Sequence, residues 1–371
     1  MPAGLAYLDW NATAPVRPEA AAAMAQALAL CGNPSSVHRA GREARRLLER
    51  ARADVAALVG AVADEVVFTS GGTEANILAL RAFPERRLAV SAIEHNSVLA
   101  NVPDAPRIPA SRDGAIDLSA LERWLGADRR PALVSLMLAN NETGAIQPVA
   151  EAARLVHAHG ALLHCDAVQG AGKLPVDIRQ LGCDLLTLSA HKLGGPMGVG
   201  ALVVSADLDP MPLIRGGGQE RNRRAGTENL PGICGFGATA RLAAAERQSW
   251  RAVAVMRDDA ERRLTAIALD AVIYAAAAPR LPNTICVAMP RVPASTQVMA
   301  LDLAGVMVSA GAACSSGKVR RSHVLDAMDV PEADAECAIR ISLGRTTTAA
   351  EVDQLIEAWG TLYARTRASA A

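Results

Sequence analysis

Lysine is nearly missing from this chain. Of 38 basic residues among 371, only Lys173, Lys192 and Lys318 are lysines; the rest are arginines. Aromatic residues are almost as scarce, at 3%. The core must therefore be built from Ala, Val, Leu and Ile, and the stacking platforms that hold single-stranded nucleic acids are missing. Net charge is lacking as well, because 38 acidic residues cancel the 38 basic ones. No whole-molecule field gathers nucleic acid or an anionic membrane. No apolar run approaches membrane-spanning length. The stretch EAAAAMAQALALCG, residues 19–32, has the composition of a signal-peptide core, yet it lacks a basic leader and follows Pro18, where a helix would start. The seven cysteines, at 31, 165, 183, 234, 286, 314 and 337, form no C-x-x-C pair. Such an odd, scattered set argues against a disulfide framework and suits a reducing, cytoplasmic compartment. A clean G-x-G-x-x-G fingerprint is also missing, which disfavours a nicotinamide dehydrogenase.

What is present alternates. Apolar positions Leu47, Leu48, Ala51, Val55 and Leu58 recur at helical spacing. Short strand-like runs then alternate with helical ones: EVVFTS, RLAVSA, PALVSLML, ALLHCDA, DLLTLSA and GALVVS against GGTEANILAL and VAEAARLVHAH. This pattern predicts an α/β fold with a mostly parallel sheet covered on both faces, and ligands bind such sheets at the carboxyl ends of the strands. Beyond about residue 240 the texture changes. A long helical stretch, 237–267, leads into PNTICVAMP, an expected edge strand bracketed by prolines. A helix over 296–304, the strand AIRISL and a last helix follow, Thr348 and Glu351 fitting a capping box for that helix. The domains expected are a large one over 14–245 and a small α+β one over 246–371, with 1–13 packed against the latter.

Polar residues gather at the predicted strand ends. TSGGTEAN sets Gly71, Gly72 and Thr73 between a strand and a helix amino terminus, where free N–H groups attract phosphate. A merely tight connection reads the same way. HCDAVQG ends a strand with Asp166 and then Gln169, AIEHNSV leaves His95 past another, and LMLANNETG ends in Asn140, Asn141 and Glu142. Each alone fits a cap or an Asx turn. TLSAHK supplies Ser189, His191 and Lys192. A buried lysine is costly unless its charge is removed, but lysine, unlike arginine, can lose its proton and form a Schiff base. A phosphate cradle, such a lysine, a carboxylate for a ring nitrogen and an imidazole to lie on the ring are what pyridoxal 5'-phosphate requires. The trio His157, His159 and His164 invites a metal reading, but these side chains share no face, and no resident metal is expected.

The motifs YLDWNATAP, GNPSSVHRAG, FTSGGTEAN, ANNETGAIQP, CDAVQGAGK, SAHKLGGPMGVGAL, GGGQERNRRAGTEN, SAGAACSSG and AIRISLGRTTT occur in this order along nearly the whole chain. In them the sequence resembles the cysteine desulfurases of the NifS/IscS group. These are class-V aminotransferase relatives with the aspartate-aminotransferase-like fold type I of pyridoxal-phosphate enzymes. The resemblance implies that Lys192 carries the cofactor, Asp166 pairs with its ring nitrogen, Gln169 bonds its ring oxygen and His95 stacks on it and helps move protons. It implies that Gly72, Thr73, Ser189 and His191 hold the phosphate, and that Thr227 reaches the phosphate of a partner subunit in a homodimer. Asn141 and Arg340, with Asn11 as a further candidate, match the groups that bind the substrate carboxylate. Cys314, in a stretch of small residues typical of a mobile loop, matches the thiol that takes sulfur from L-cysteine as a persulfide, releasing L-alanine. The sulfur would pass to an acceptor or iron–sulfur scaffold protein, and Cys314 is the residue that could ligate a transferred cluster. A selenocysteine lyase or aminotransferase of the same fold, or a non-catalytic assembly scaffold, are the alternatives. Trp10 departs from the family pattern, standing where many relatives have a second asparagine.

Overall fold

The structure is a computed structural model and describes residues 4–310 and 321–368. Its strands are β1 (Ala6–Tyr7), β2 (Val66–Thr69), β3 (Arg87–Ser91), β4 (Arg107–Ile108), β5 (Ala132–Met137), β6 (Leu162–Asp166), β7 (Leu185–Ser189), β8 (Gly200–Val204), β9 (Val272–Ile273), β10 (Thr284–Ala288), β11 (Val306–Met307), β12 (Ser309–Ala310) and β13 (Ala338–Ser342). Seven of them form one sheet in the order β2-β8-β7-β6-β5-β3-β4. Every pairing in it is parallel except those of β8, which runs antiparallel to both β2 and β7. The apolar strands suit burial from both sides. Phe68, Val134, Leu163, Leu186 and Leu188 face one core, while Val67, Leu133, Leu185 and Leu202 face another. Because only β8 is reversed, β2, β3, β5, β6 and β7 all end at one edge. There the chain places Thr69, Ser91, Met137, Asp166 and Ser189.

Helices α1 (Pro18–Leu28) and α2 (Arg39–Leu58) cover one face together with the helix Leu230–Ala245. Pro18 starts α1 without needing an N–H. In α2 the buried stripe Ala44, Leu48, Ala51 and Val55 repeats at helical spacing, and arginines occupy much of the outer side. Gly237 lets the helix Leu230–Ala245 approach α2 closely, since a Cβ there would lie 2.6 Å from the Ala51 Cα. On the opposite face α3 (Gly72–Arg81) packs Ala75, Leu78 and Ala79 on the sheet.

The second sheet has the order β12-β13-β10-β9 and is antiparallel. The expectation of an edge strand at PNTICVAMP is corrected, because β10 lies between β13 and β9. Its prolines, Pro282 and Pro290, fall outside Thr284–Ala288 and take no donor from the ladder. The single helical stretch expected over 237–267 is two helices, Leu230–Ala245 and Trp250–Ile267, joined by a short 3-10 turn. The Glu246 carboxylate at that break pairs at 2.8 Å with Arg17, a buried guanidinium. The capping box at Thr348 is present: Glu351 accepts from the Thr348 N–H at 2.7 Å, and its own N–H donates to Thr348 Oγ1 at 3.3 Å.

The amino-terminal segment joins this part of the molecule. β1 pairs with β11, Ala6 and Leu8 are buried with Ile285, Ile339 and Ile341, and Trp10 donates its N–H to Ser342. Trp10 is accommodated by a glycine: a Cβ on Gly344 would stand 1.7 Å from the indole Cε2. Gly344→Ala therefore forces two rigid groups into one volume, and a loss of about 3 kcal/mol is expected, at the upper end of overpacking costs. Urea denaturation checks this. In a Trp10→Asn background the same substitution should cost much less, and an equal cost in both backgrounds would refute the packing account.

Candidate active site

A cavity of about 380 Å³ opens at the carboxyl edge of the large sheet. It brings together Asn11, Gly72, Thr73, His95, Asn141, Asp166, Gln169, Ser189, His191, Lys192 and Arg340, which the sequence scatters over more than 300 positions. Of the other residues expected at the site, one is placed elsewhere and one is not described. Thr227 is exposed outside the cavity of its own chain. Cys314, like Lys318, lies outside the described residues, although Ser309, five positions before Cys314, lines the cavity.

Lys192 sits in a one-turn 3-10 segment just after β7. Its Nζ donates to the Asn11 carbonyl at 2.6 Å and to the Ala12 carbonyl at 2.9 Å. Burial lowers its pKa to about 8, and the Arg340 guanidinium pushes the same way, against Asp9 and Asp166. The position thus demands a cation able to give up its proton, which arginine is not. Burial, with Lys192 adding to it, brings His191 down to about 4. The Lys192 shift gives a direct expectation for the protein freed of cofactor. Below pH 8 its Nζ is an ammonium and unreactive; above it the free amine acylates. Labelling of Lys192, followed by peptide mapping, should rise with a midpoint near 8, about two units below an ordinary lysine. A midpoint near 10 would mean that the charge is not suppressed.

Asp166 ends β6 and is buried. Its Oδ2 accepts from Asn76 Nδ2 at 2.7 Å, and its Oδ1 from the Val168 N–H at 3.0 Å. Asn76, one of the residues that sequence reasoning missed, also donates to Ser97 Oγ at 2.8 Å. Its signal was a polar residue on the inward side of α3. Among the described residues no cation forms an ion pair with Asp166, so a buried carboxylate faces the cavity without a counter-charge. His95 caps the short helix Asn96–Leu99, its Nδ1 accepting from the Ser97 N–H at 3.1 Å. That bond leaves the ring proton of the neutral form on Nε2. Burial lowers the His95 pKa, Asp166 opposing the effect.

Arg340 extends from β13 of the second sheet. It donates to Asp9 Oδ1 at 2.7 Å and to the Asn141 carbonyl at 3.2 Å, and its Nε is buried without an acceptor. Asp9 was not foreseen as part of the site; 331 positions separate it from Arg340. Both amide atoms of the Asn11 side chain are engaged internally. Its Nδ2 donates to Thr284 and to the Asn141 carbonyl, and its Oδ1 accepts from Lys173 and Asn283. The three histidines of the metal reading part company: His157 meets Asp184, His159 meets the Leu155 carbonyl, and His164 lies buried between Ser135 and Thr187.

The walls fit pyridoxal phosphate on the chemistry of their donor set. The amino terminus of α3 offers free N–H groups beside Ser189, and a Cβ on Gly72 would fill the space there, 3.1 Å from Val168 and 3.4 Å from the Ser189 Cβ. The unpaired Asp166 suits a protonated ring nitrogen. Lys192 supplies an amine of lowered basicity.

The fold and this cavity are those of a pyridoxal-phosphate enzyme of fold type I. The chain belongs to the aminotransferase class-V family, whose model matches residues 6–355. It is 48% identical over 366 residues to a cysteine desulfurase of Cereibacter sphaeroides, covering 95% of this chain and 94% of that one. It is 39% identical to the cysteine desulfurase IscS of Dictyoglomus turgidum, covering 95% and 92%. A solved structure of a NifS-like protein from Rickettsia africae superposes with a TM-score of 0.90 at 35% identity, covering 97% of this chain and 99% of that one.

Proposed function

We propose that the protein is a cysteine desulfurase that converts L-cysteine to L-alanine and keeps the sulfur as a persulfide on Cys314. The observation that carries the reading is the meeting of Lys192, Asp166 and His95 in one cavity at the amino terminus of α3. Pyridoxal phosphate, when bound, supplies a conjugated ring that takes up the electron pair released at the substrate α-carbon. Gly72, Thr73, Ser189 and His191 would hold its phosphate, joined by Thr227 of a second copy in a homodimer. Asp166 would keep the ring nitrogen protonated, Gln169 would donate to the ring oxygen, and His95 would pack on the ring.

Lys192 would be the attachment point, and its Nζ, released when the substrate amine takes its place, would take and return the α-proton. The Arg340 guanidinium and Asn141 receive the substrate carboxylate. The orphaned Arg340 Nε is a donor ready for it, and the fork geometry suits a two-oxygen contact. The Cys314 thiolate attacks the substrate sulfur. An S–S bond forms as the substrate C–S bond breaks, the electron pair leaves with carbon, and protonation gives alanine. One cysteine and one protein thiol thus become one alanine and one protein persulfide. An acceptor or iron–sulfur scaffold protein then removes the sulfur. Among the described residues no helix is long and apolar enough to cross a membrane, and the cytoplasm is the compartment we propose.

The test is incubation of the purified protein with pyridoxal phosphate, L-cysteine and a thiol reductant, with sulfide and alanine measured together. Equal amounts of the two are expected. Alanine without sulfide, or pyruvate in its place, would reject the assignment.

A further inference from the structure

Lys173, the first of the three lysines in the chain, is buried in the turn after β6 and takes no part in the chemistry above. Its Nζ donates to the side-chain oxygens of Asn11, at 2.8 Å, and Gln169, at 3.0 Å. No carboxylate pairs with it among the described residues. Close packing turns this segment inward: a Cβ on Gly172 would stand 2.6 Å from Leu193, and one on Gly170 would stand 2.4 Å from Leu138. Gln169 is fixed from its other end too, because its Nε2 donates to the Asn11 carbonyl at 2.9 Å, the same oxygen that receives Lys192.

We propose that Lys173 is a positioning residue of the cofactor site, locking the Gln169 amide so that its NH₂ group, and not its oxygen, faces the ring oxygen of pyridoxal phosphate. An amide can rotate by half a turn at little cost in shape, and the wrong orientation would set two oxygens against each other. The Lys173 donor removes that choice, because a flipped Gln169 would point N–H groups at N–H groups. Burial, then Lys192 and Arg340, hold Lys173 well below the usual lysine range. Its N–H groups are committed to Asn11 and Gln169, and its lowered basicity limits the cost of a third basic group beside Lys192 and Arg340. Arginine would stay charged.

This inference rests on the cavity taking pyridoxal phosphate, and its test separates the two. Protein freed of cofactor is prepared as wild type, Lys173→Met, Gln169→Leu and the double variant. The dissociation constant of pyridoxal phosphate is measured for each by equilibrium dialysis, alongside the melting temperature of the cofactor-free form. Methionine keeps the length of the side chain and removes the donor. Lys173→Met should weaken binding about tenfold, the worth of one hydrogen bond to an oriented partner. Gln169→Leu should weaken it similarly, and the double variant should be no weaker than the weaker single one. Wild-type affinity in Lys173→Met, or losses that multiply in the double variant, would make Lys173 a structural residue only and overturn the proposal. A wild-type protein that binds no pyridoxal phosphate would overturn the reading of the cavity, and this inference with it. Should Lys173→Met not fold, Lys173→Gln, which keeps a shorter N–H donor, is carried through the same cycle. It is expected to bind between Lys173→Met and wild type in strength, and affinity below Gln169→Leu would count against positioning.

Discussion

Lys192→Ala is expected to fold normally and to lose turnover of L-cysteine by about 10³-fold or more, the scale of removing a positioned acid–base group that is also a nucleophile. Folding should survive because the Lys192 Nζ contacts only two carbonyl oxygens, and the Asn11 oxygen keeps its bond from Gln169. Removing an ammonium whose pKa is already driven down by burial also relieves a desolvation cost. The informative companion is Lys192→Arg. It keeps a positive charge near the carbonyls but cannot release a proton near neutral pH. If Lys192 serves as a charge alone, the arginine variant recovers much of the activity that alanine loses. If it serves as an amine, both variants are equally dead. The second result is expected. Sulfide release under saturating cysteine, with the melting temperature as the folding control, decides between them.

Much of this site was legible in the sequence because buried parallel strands are short apolar runs, and polar residues at their ends stand out against that background. His95, Asp166, Ser189 and Lys192 were visible in this way, one strand end at a time. Directions were harder. The run GALVVS looks like its neighbours, and only pairing shows that β8 is reversed. The prolines around β10 suggested an edge because sequence spacing could not show that they lie just beyond the ladder. Long-range partners were hidden altogether. Nothing near Asp9 announces Arg340, and nothing in the small residues around Lys173 says that its amine turns inward to Asn11 and Gln169. Trp10 was noticed as a departure, but its consequence lies at Gly344, which reads as an ordinary turn glycine until the indole is placed against it.

Cys314→Ser should separate the two halves of the reaction. Serine is close in size to cysteine, and the surrounding sequence, SAGAACSSG, offers no large side chain whose packing depends on sulfur. Cofactor uptake and melting temperature should therefore match the wild type. A hydroxyl is neither acidic enough nor soft enough to attack sulfur as a thiolate does. Binding of L-cysteine and removal of its α-proton depend on Arg340, Asn141 and Lys192, none of which is changed. Exchange of that proton with deuterated solvent should continue in the variant, while formation of alanine and sulfide falls by about 10³-fold or more, as for loss of a covalent nucleophile. Wild-type protein stopped after a single turnover without reductant should carry one extra sulfur atom, and digestion should place it on the peptide containing Cys314. The other cysteines give a sharp contrast. Cys165 and Cys286 are fully buried, with thiol pKa values pushed up by burial, so neither supplies a thiolate near neutral pH. Extra sulfur found on any of them, or unreduced turnover in the serine variant, would move the nucleophile away from Cys314. Loss of solvent exchange together with loss of turnover would say instead that the residue acts before the C–S bond is touched.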